Sequence, residues 1–307
     1  MPERDQSELA RARAALDSRD WPVARAILER ALSERPDDVG AALLLQDAEL
    51  GAAGGDAQRL LERTRERAAS EGGFLPLLSL ARLEPDPATA LAAARAAIAV
   101  APQNPWGHYA EAFLLAASGD WVAAATSNAR ALELDGGHRS AARLEAALLS
   151  RAGKLEAAII ALRAWLDAVE SDPRVSPEAR AAARLDLAQL LVLVREDDAA
   201  LAELARLSDE GSVGVRRACL EAAALQGLGR PAEALAASQR AAAIEPAALV
   251  PLVQQALLEQ HHLRNPQAAR VLWERILASE KSRAGLGSLI ETLRARIALE
   301  RGAAGTP

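Results

Sequence analysis

An alanine returns at a nearly constant interval along most of this chain, and this regularity limits the fold more than any other feature. Each copy lies near the start of a segment that carries an apolar stripe at helical spacing. The positions are Ala24, Ala57, Ala90, Ala124, Ala158, Ala200, Ala234 and Ala269. The intervals are 33, 33, 34, 34, 42, 34 and 35 residues. A period of this length indicates a repeat protein, whose units pack mainly on their neighbours.

The composition favours thin, repeated helix packing over one deep core. Alanine supplies 75 of the 307 residues, whereas only 8 residues are aromatic. Alanine has the highest helix propensity and allows close helix contacts, but it cannot fill a thick interior. No stretch shows the alternating pattern of β-strands. The sequence therefore predicts an all-α protein.

Three phrases carry a resemblance to a known family. They read DWPVARAILERALSERP, GDWVAAATSNARALELD and GRPAEALAASQRAAAIEP, and they end at Pro36, Asp135 and Pro246. They resemble the tetratricopeptide repeat, in a bacterial-type version rich in alanine and arginine. The resemblance implies an α-solenoid, a right-handed superhelix of about eight antiparallel helix pairs with a C-terminal capping helix. It also implies small residues at the helix crossings, which match Ala12, Ala112, Ala146, Ala188 and Ala222 in the first helices and Ala31, Ala97, Ala131 and Ala241 in the second helices.

Capping signals agree with many short helices. Asp86, Asn104, Ser176 and Asn265 each stand directly before a proline, so each can cap a helix whose first residue is that proline. Near the end of the chain, residues 288–297 carry a capping box and an apolar stripe that predict the capping helix. Residues 302–307 are expected to form a tail.

The 42-residue interval predicts a break in the array. It contains about eight extra residues, 173–180, and Trp165 stands where the family has a small residue. We expect an N-terminal array of about five units over 5–172, a linker over 173–180, and an array of about three units with the capping helix over 181–303. The alternative is a long second helix followed by a harmless loop.

Charge and cysteine content disfavour several functions. The net charge is −6, and Glu62 and Glu66 interrupt the densest basic stretch, Arg63 to Arg67, so we expect no nucleic-acid partner. Cys219 is the only cysteine, which excludes an intrachain disulfide and a cysteine-based metal site. The charged start and the lack of a long apolar run predict a cytoplasmic protein with no membrane insertion.

The sequence predicts no catalytic, cofactor-binding or metal site. No phosphate-binding loop motif is present, and no base is identified that would activate Cys219. The adjacent His261 and His262 point about 100° apart on a helix, which does not suit a shared metal. We therefore expect a protein that is not an enzyme.

One aromatic cluster is the best candidate for a ligand site. Trp106, Tyr109 and Phe113 fall on one first helix within an arc of about 60°. In the resembled family this face lines the concave groove that binds ligands, and Arg143 is expected at the matching place in the next unit. The alternative is that the three aromatic residues fill gaps between neighbouring units.

Two functions follow from this pattern. The first is a scaffold or adaptor that binds a protein segment or peptide in the concave groove. The second is a regulatory subunit that senses a peptide or metabolite in the same groove.

Overall fold

The computed structural model describes residues 2–54, 57–172, 175–208 and 211–278, which form sixteen α-helices and no strand. The helices are α1 (Pro2–Asp17), α2 (Trp21–Glu34), α3 (Val39–Ala52), α4 (Ala57–Glu71), α5 (Phe74–Leu83), α6 (Pro87–Val100), α7 (Pro105–Ala117), α8 (Trp121–Leu134), α9 (Arg139–Arg151), α10 (Leu155–Val169), α11 (Pro177–Leu193), α12 (Asp197–Leu204), α13 (Gly211–Gly227), α14 (Pro231–Ile244), α15 (Leu249–His261) and α16 (Pro266–Ala278). The predicted all-α fold with about eight helix pairs is confirmed. The predicted capping helix and tail lie outside the described residues.

The chain divides into two compact units, Met1–Arg180 and Ala181–Pro307, which we call unit 1 and unit 2. In unit 1, consecutive helices pack as five pairs from α1–α2 to α9–α10. In unit 2, α13 packs on α14 and α15 packs on α16. The predicted split into arrays of five and three repeats stays a prediction.

The recurring alanines form the contacts between paired helices. Seven of them occupy the fourth position of a second helix, and their exposed fractions are 0–2%. Ala57 is the exception, because it is the first residue of α4 and is exposed. Leu60 holds the fourth position there, with 5% exposure. The predicted place of the second unit's alanine was therefore wrong by three residues.

The predicted alanines at the first-helix crossings are likewise buried, and so are those in the second half of the second helices. In α3 the crossing position belongs to Gln46, which is 4% exposed and donates from Nε2 to the Ser79 carbonyl at 3.0 Å. The second helix pair thus departs from alanine at both crossing positions, Gln46 and Leu60.

All four predicted caps before a proline are present. Asp86 accepts from the Thr89 N–H at 2.9 Å, and Asn104 accepts from the Trp106 N–H at 3.1 Å. Ser176 and Asn265 accept from amides three residues later, at 3.2 and 3.3 Å. These bonds satisfy donors that the first turn of a helix leaves open, so short-range chemistry determines where these helices begin.

Trp165 and the extra residues around 173–180 change the packing locally. Trp165 is only 6% exposed, and its Nε1 donates to the Arg139 carbonyl at 2.8 Å, at the start of α9. Residues 177–180 form the first turn of α11, which has 17 residues where α7 has 13. Four of the added residues, 177–180, therefore extend α11 by about one turn.

Candidate functional site

The first helices of unit 1 line a cavity of about 690 Å³. Side chains from α1, α3, α5, α7 and α9 contribute, as does the turn before α9. The predicted residues Trp106, Tyr109 and Phe113 all line this cavity. Arg143 is not one of the described residues that line it. Its guanidinium carbon lies 5.7 Å from the ring centroid of Trp165.

The three aromatic side chains contact one another but differ in burial. The ring centroids of Trp106 and Tyr109 are 5.9 Å apart at 85°, and those of Tyr109 and Phe113 are 6.3 Å apart. Trp106 and Tyr109 are half-buried, whereas Phe113 is 55% exposed. An exposed phenylalanine beside packed rings is the arrangement of a surface anchor, because it can bury apolar area on binding.

His138 completes the cluster, and sequence reasoning missed it. Its ring centroid lies 4.4 Å from that of Trp106 and 5.3 Å from that of Tyr109. It is the cap residue of α9, where Nδ1 accepts from the Ala141 N–H at 3.2 Å. The repeat alignment could have identified it. His138 occupies the same position in its repeat, directly before the first helix, as Asn104 occupies before α7.

These contacts are relevant to both interpretations of the aromatic cluster, as groove residues and as packing between units. Trp106 and Tyr109 line the cavity and also pack against His138 of the next helix pair, so both interpretations apply to them. Phe113, which has more than half of its surface exposed, belongs to the cavity.

The charges of two arginines act on the Tyr109 hydroxyl. Burial raises the pKa of Tyr109, while a hydrogen bond with Ser140 and the charges of Arg143 and Arg82 act in the opposite direction. Arg82 donates to Gln46 Oε1 at 2.8 Å and also binds Asp47. Two arginines on different helices thus act on one phenol, even though Arg143 does not line the cavity.

The acidic residues of the cavity are engaged within the protein. Asp38 caps α3 at 3.0 Å from the Ala41 amide, Asp47 pairs with Arg82, and Asp135 accepts from the Gly137 N–H at 2.9 Å. The buried Nε of Arg13, by contrast, has no hydrogen-bond partner among the described residues.

His138 should make the stability of the fold depend on pH. Burial lowers the pKa of His138, and the charge of Asp135 opposes this effect. His138 therefore binds a proton more readily in the unfolded chain than in the folded protein. The free energy of unfolding should fall as the pH drops from about 6.5, the ordinary histidine pKa, to the lower pKa of the folded protein. Protonation of Nδ1 would also remove the cap of α9.

The matched variant is His138→Asn, because asparagine caps α7 in the same way. Urea midpoints at about pH 7.5 and about pH 5.5 should differ more for the parent protein than for the variant. The carboxylates and the other histidines are the same in both proteins, so the difference between them isolates the contribution of His138. An equal loss on acidification would show that His138 does not titrate in this range.

The described residues include no group of three or more His, Cys, Asp or Glu side chains that could hold a metal ion. Burial raises the pKa of Cys219 to about 11, so its thiol stays protonated at neutral pH. None of the helices within the described ranges is long and apolar enough to span a bilayer.

Comparisons with known proteins give matches in structure only. No family model and no curated protein sequence matches the chain. The crystal structure of the APC/C hetero-tetramer Cut9–Hcn1 matches with a TM-score of 0.65 and 13% identity, over 89% of this chain and 52% of that chain. The crystal structure of yeast Tom70 matches with a TM-score of 0.51 and 15% identity, over 92% of this chain and 59% of that chain.

A tetratricopeptide repeat protein from Parabacteroides merdae ATCC 43184 matches over nearly its full length. The TM-score is 0.50 and the identity 15%, over 83% of this chain and 99% of that chain. This chain spans about half of the matched Cut9–Hcn1 chain, as the 52% coverage states. Paired helices, buried alanines at their crossings and these structural matches agree: the chain has the tetratricopeptide-repeat fold.

Proposed function

We propose that this chain is a non-enzymatic scaffold or adaptor that binds an extended segment of a partner protein in the cavity of unit 1. One observation carries the proposal: Phe113 presents 55% of its surface at a cavity that Trp106 and Tyr109 also line. Aromatic anchors of this kind supply most of the binding energy at many interfaces. A structure of similar fold, that of Cut9–Hcn1, is a hetero-tetramer, which agrees with a role in assembly.

The cavity favours a segment with one apolar side chain and one acidic group. The apolar side chain would pack on Phe113 and the edges of Trp106 and Tyr109. The acidic group would lie near the Tyr109 hydroxyl, where the charges of Arg82 and Arg143 act. The sequence predicts that Arg143 pairs with such an acidic group; this pairing stays a prediction, and the charge of Arg143 acts on Tyr109.

The test compares Phe113→Ala with Val122→Ala. Val122 lies on the next helix, is 81% exposed and does not line the cavity. Both substitutions remove an exposed apolar side chain, so both should leave the fold intact. Peptides selected from a random phage-displayed library against the parent protein should bind Phe113→Ala at least about ten-fold more weakly, as measured by fluorescence anisotropy.

Val122→Ala should bind the same peptides as the parent does. The selected peptides should also be enriched in an apolar residue near Asp or Glu. Equal binding by the two variants, or a library that yields no peptide dependent on Phe113, would contradict the proposal.

A further inference from the structure

Arg13 of α1 lines the cavity of unit 1 and has an open guanidinium group. The side chain is half-buried, and its Nε is buried without a hydrogen-bond partner. The two terminal nitrogens are not buried, and they make no hydrogen bond or ion pair with the described residues. A guanidinium can donate two parallel hydrogen bonds to one carboxylate. The terminal nitrogens of Arg13 are therefore available for such a contact.

The charges around Arg13 leave this contact to a group from outside. Asp17 lies one turn further along α1, where burial raises its pKa and the charge of Arg13 opposes this effect, but the two residues form no ion pair within the described part of the chain. The acidic residues of the cavity are engaged, as described above. The other arginines of its lining are paired, Arg82 with Asp47 and Arg139 with Asp172.

Arg13 and Phe113 hold equivalent places in their repeats. Each directly follows the buried alanine of its helix crossing, and each lines the cavity. The two first helices between them carry Asp47 and Arg82 at the same place, as the ninth residues of α3 and α5. These two residues form an ion pair. The row therefore has an open cation at one end, an exposed aromatic ring at the other and a neutral pair in between.

The length of this row limits what can reach both ends. The first helices α1, α3, α5 and α7 contact one another in sequence. Packed helices lie about 8–10 Å apart, so three such steps cover at most about 30 Å. An extended chain advances about 3.3 Å per residue, and about nine residues therefore cover this distance.

We propose that Arg13 determines specificity in this cavity by pairing with an Asp or Glu side chain of the bound segment, up to about nine residues from the apolar side chain that packs on Phe113. The inference rests on the proposed function, because it requires a segment bound in the cavity of unit 1. The pair with Arg13 is separate from the acidic group proposed near Tyr109. The segment would pass over the neutral pair of Asp47 and Arg82 on its way between the two ends.

The probes are fluorescently labelled, C-terminally amidated peptides from the phage selection that need Phe113 for binding. Amidation removes the terminal carboxylate, so an acidic side chain is the group left to contact Arg13. The selection is repeated with Arg13→Gln as the target. Its peptides should keep the apolar residue and lose the distant acidic residue, which identifies the position that Arg13 recognises.

Replacing that acidic residue of the probe by its amide, Asp by Asn or Glu by Gln, should weaken binding to the parent protein at least about ten-fold in fluorescence anisotropy. The same change in the probe should have no effect on binding to Arg13→Gln, because the partner is already absent. Arg11→Gln is the matched control. Arg11 is exposed on α1 and does not line the cavity, so this variant should respond to the amide probe as the parent does.

Arg13→Gln removes no hydrogen bond among the described residues, so its melting temperature should match that of the parent. Equal binding of the acidic and amide probes to the parent would overturn the role of Arg13, and it needs no protein variant. Phe113 dependence would then leave the proposed function standing. Peptides that bind only with a free terminal carboxylate would also overturn the assignment to a side chain. A library without any peptide that depends on Phe113 would overturn both proposals.

Discussion

Replacing Trp165 with alanine is expected to lower the free energy of unfolding by about 3–5 kcal/mol. The side chain is only 6% exposed, and the substitution also removes the 2.8 Å hydrogen bond from Nε1 to the Arg139 carbonyl. The space left by the missing side chain and the loss of its N–H donor both lower stability, because the start of α9 loses packing and a hydrogen bond. Urea denaturation followed by circular dichroism measures the loss.

Trp121→Ala is the matched control for this prediction. Trp121 is 37% exposed, and the guanidinium carbon of Arg151 lies 4.8 Å from its ring centroid. Its loss should cost less than half as much, because less area is buried and an exposed cation–π contact contributes only about 0.5–1 kcal/mol. Similar losses for both variants would mean that Trp165 is not a packing centre of unit 1.

Ala124→Leu and Ala234→Leu are each expected to destabilise the protein by about 1–3 kcal/mol. Both alanines have no exposed surface and lie where paired helices cross. A leucine there must push two helices apart or adopt a strained rotamer. Urea denaturation measures the loss of stability for each variant. Ala124 tests unit 1, and Ala234 tests unit 2.

The control for the alanine series is Ala57→Leu. Ala57 belongs to the same sequence period, but it is the exposed first residue of α4. Its substitution should change stability by less than about 0.5 kcal/mol, as exposed positions usually do. A large loss at Ala57, or none at Ala124 and Ala234, would show that the helix register in the structure is wrong.

Some features of this fold depend only on residues that are close in sequence. The caps before Pro87, Pro105, Pro177 and Pro266 were predictable, because a cap bonds to an amide only two or three residues away. The period of about 34 residues then predicted the helix pairs and most of the buried alanines.

Ala57 shows where this reasoning failed. In a chain with 75 alanines, the residue that keeps the best period is not always the one at the crossing. The start of α4 determines the register, and it places Leu60 at the fourth position. Gln46 on the facing α3 is equally unlike alanine. The period alone does not predict either change.

Part of the candidate site was predictable from local sequence spacing, and part depends on contacts between helices. The spacing of Trp106, Tyr109 and Phe113 placed them on one face of one helix, because helical geometry depends only on sequence separation. The sequence by itself therefore determined the helices, their caps, most of their buried small residues and the aromatic face. Only the tertiary structure placed His138 against Trp106 and Tyr109. Those contacts join residues on different helices, and no local pattern encodes the distance between them.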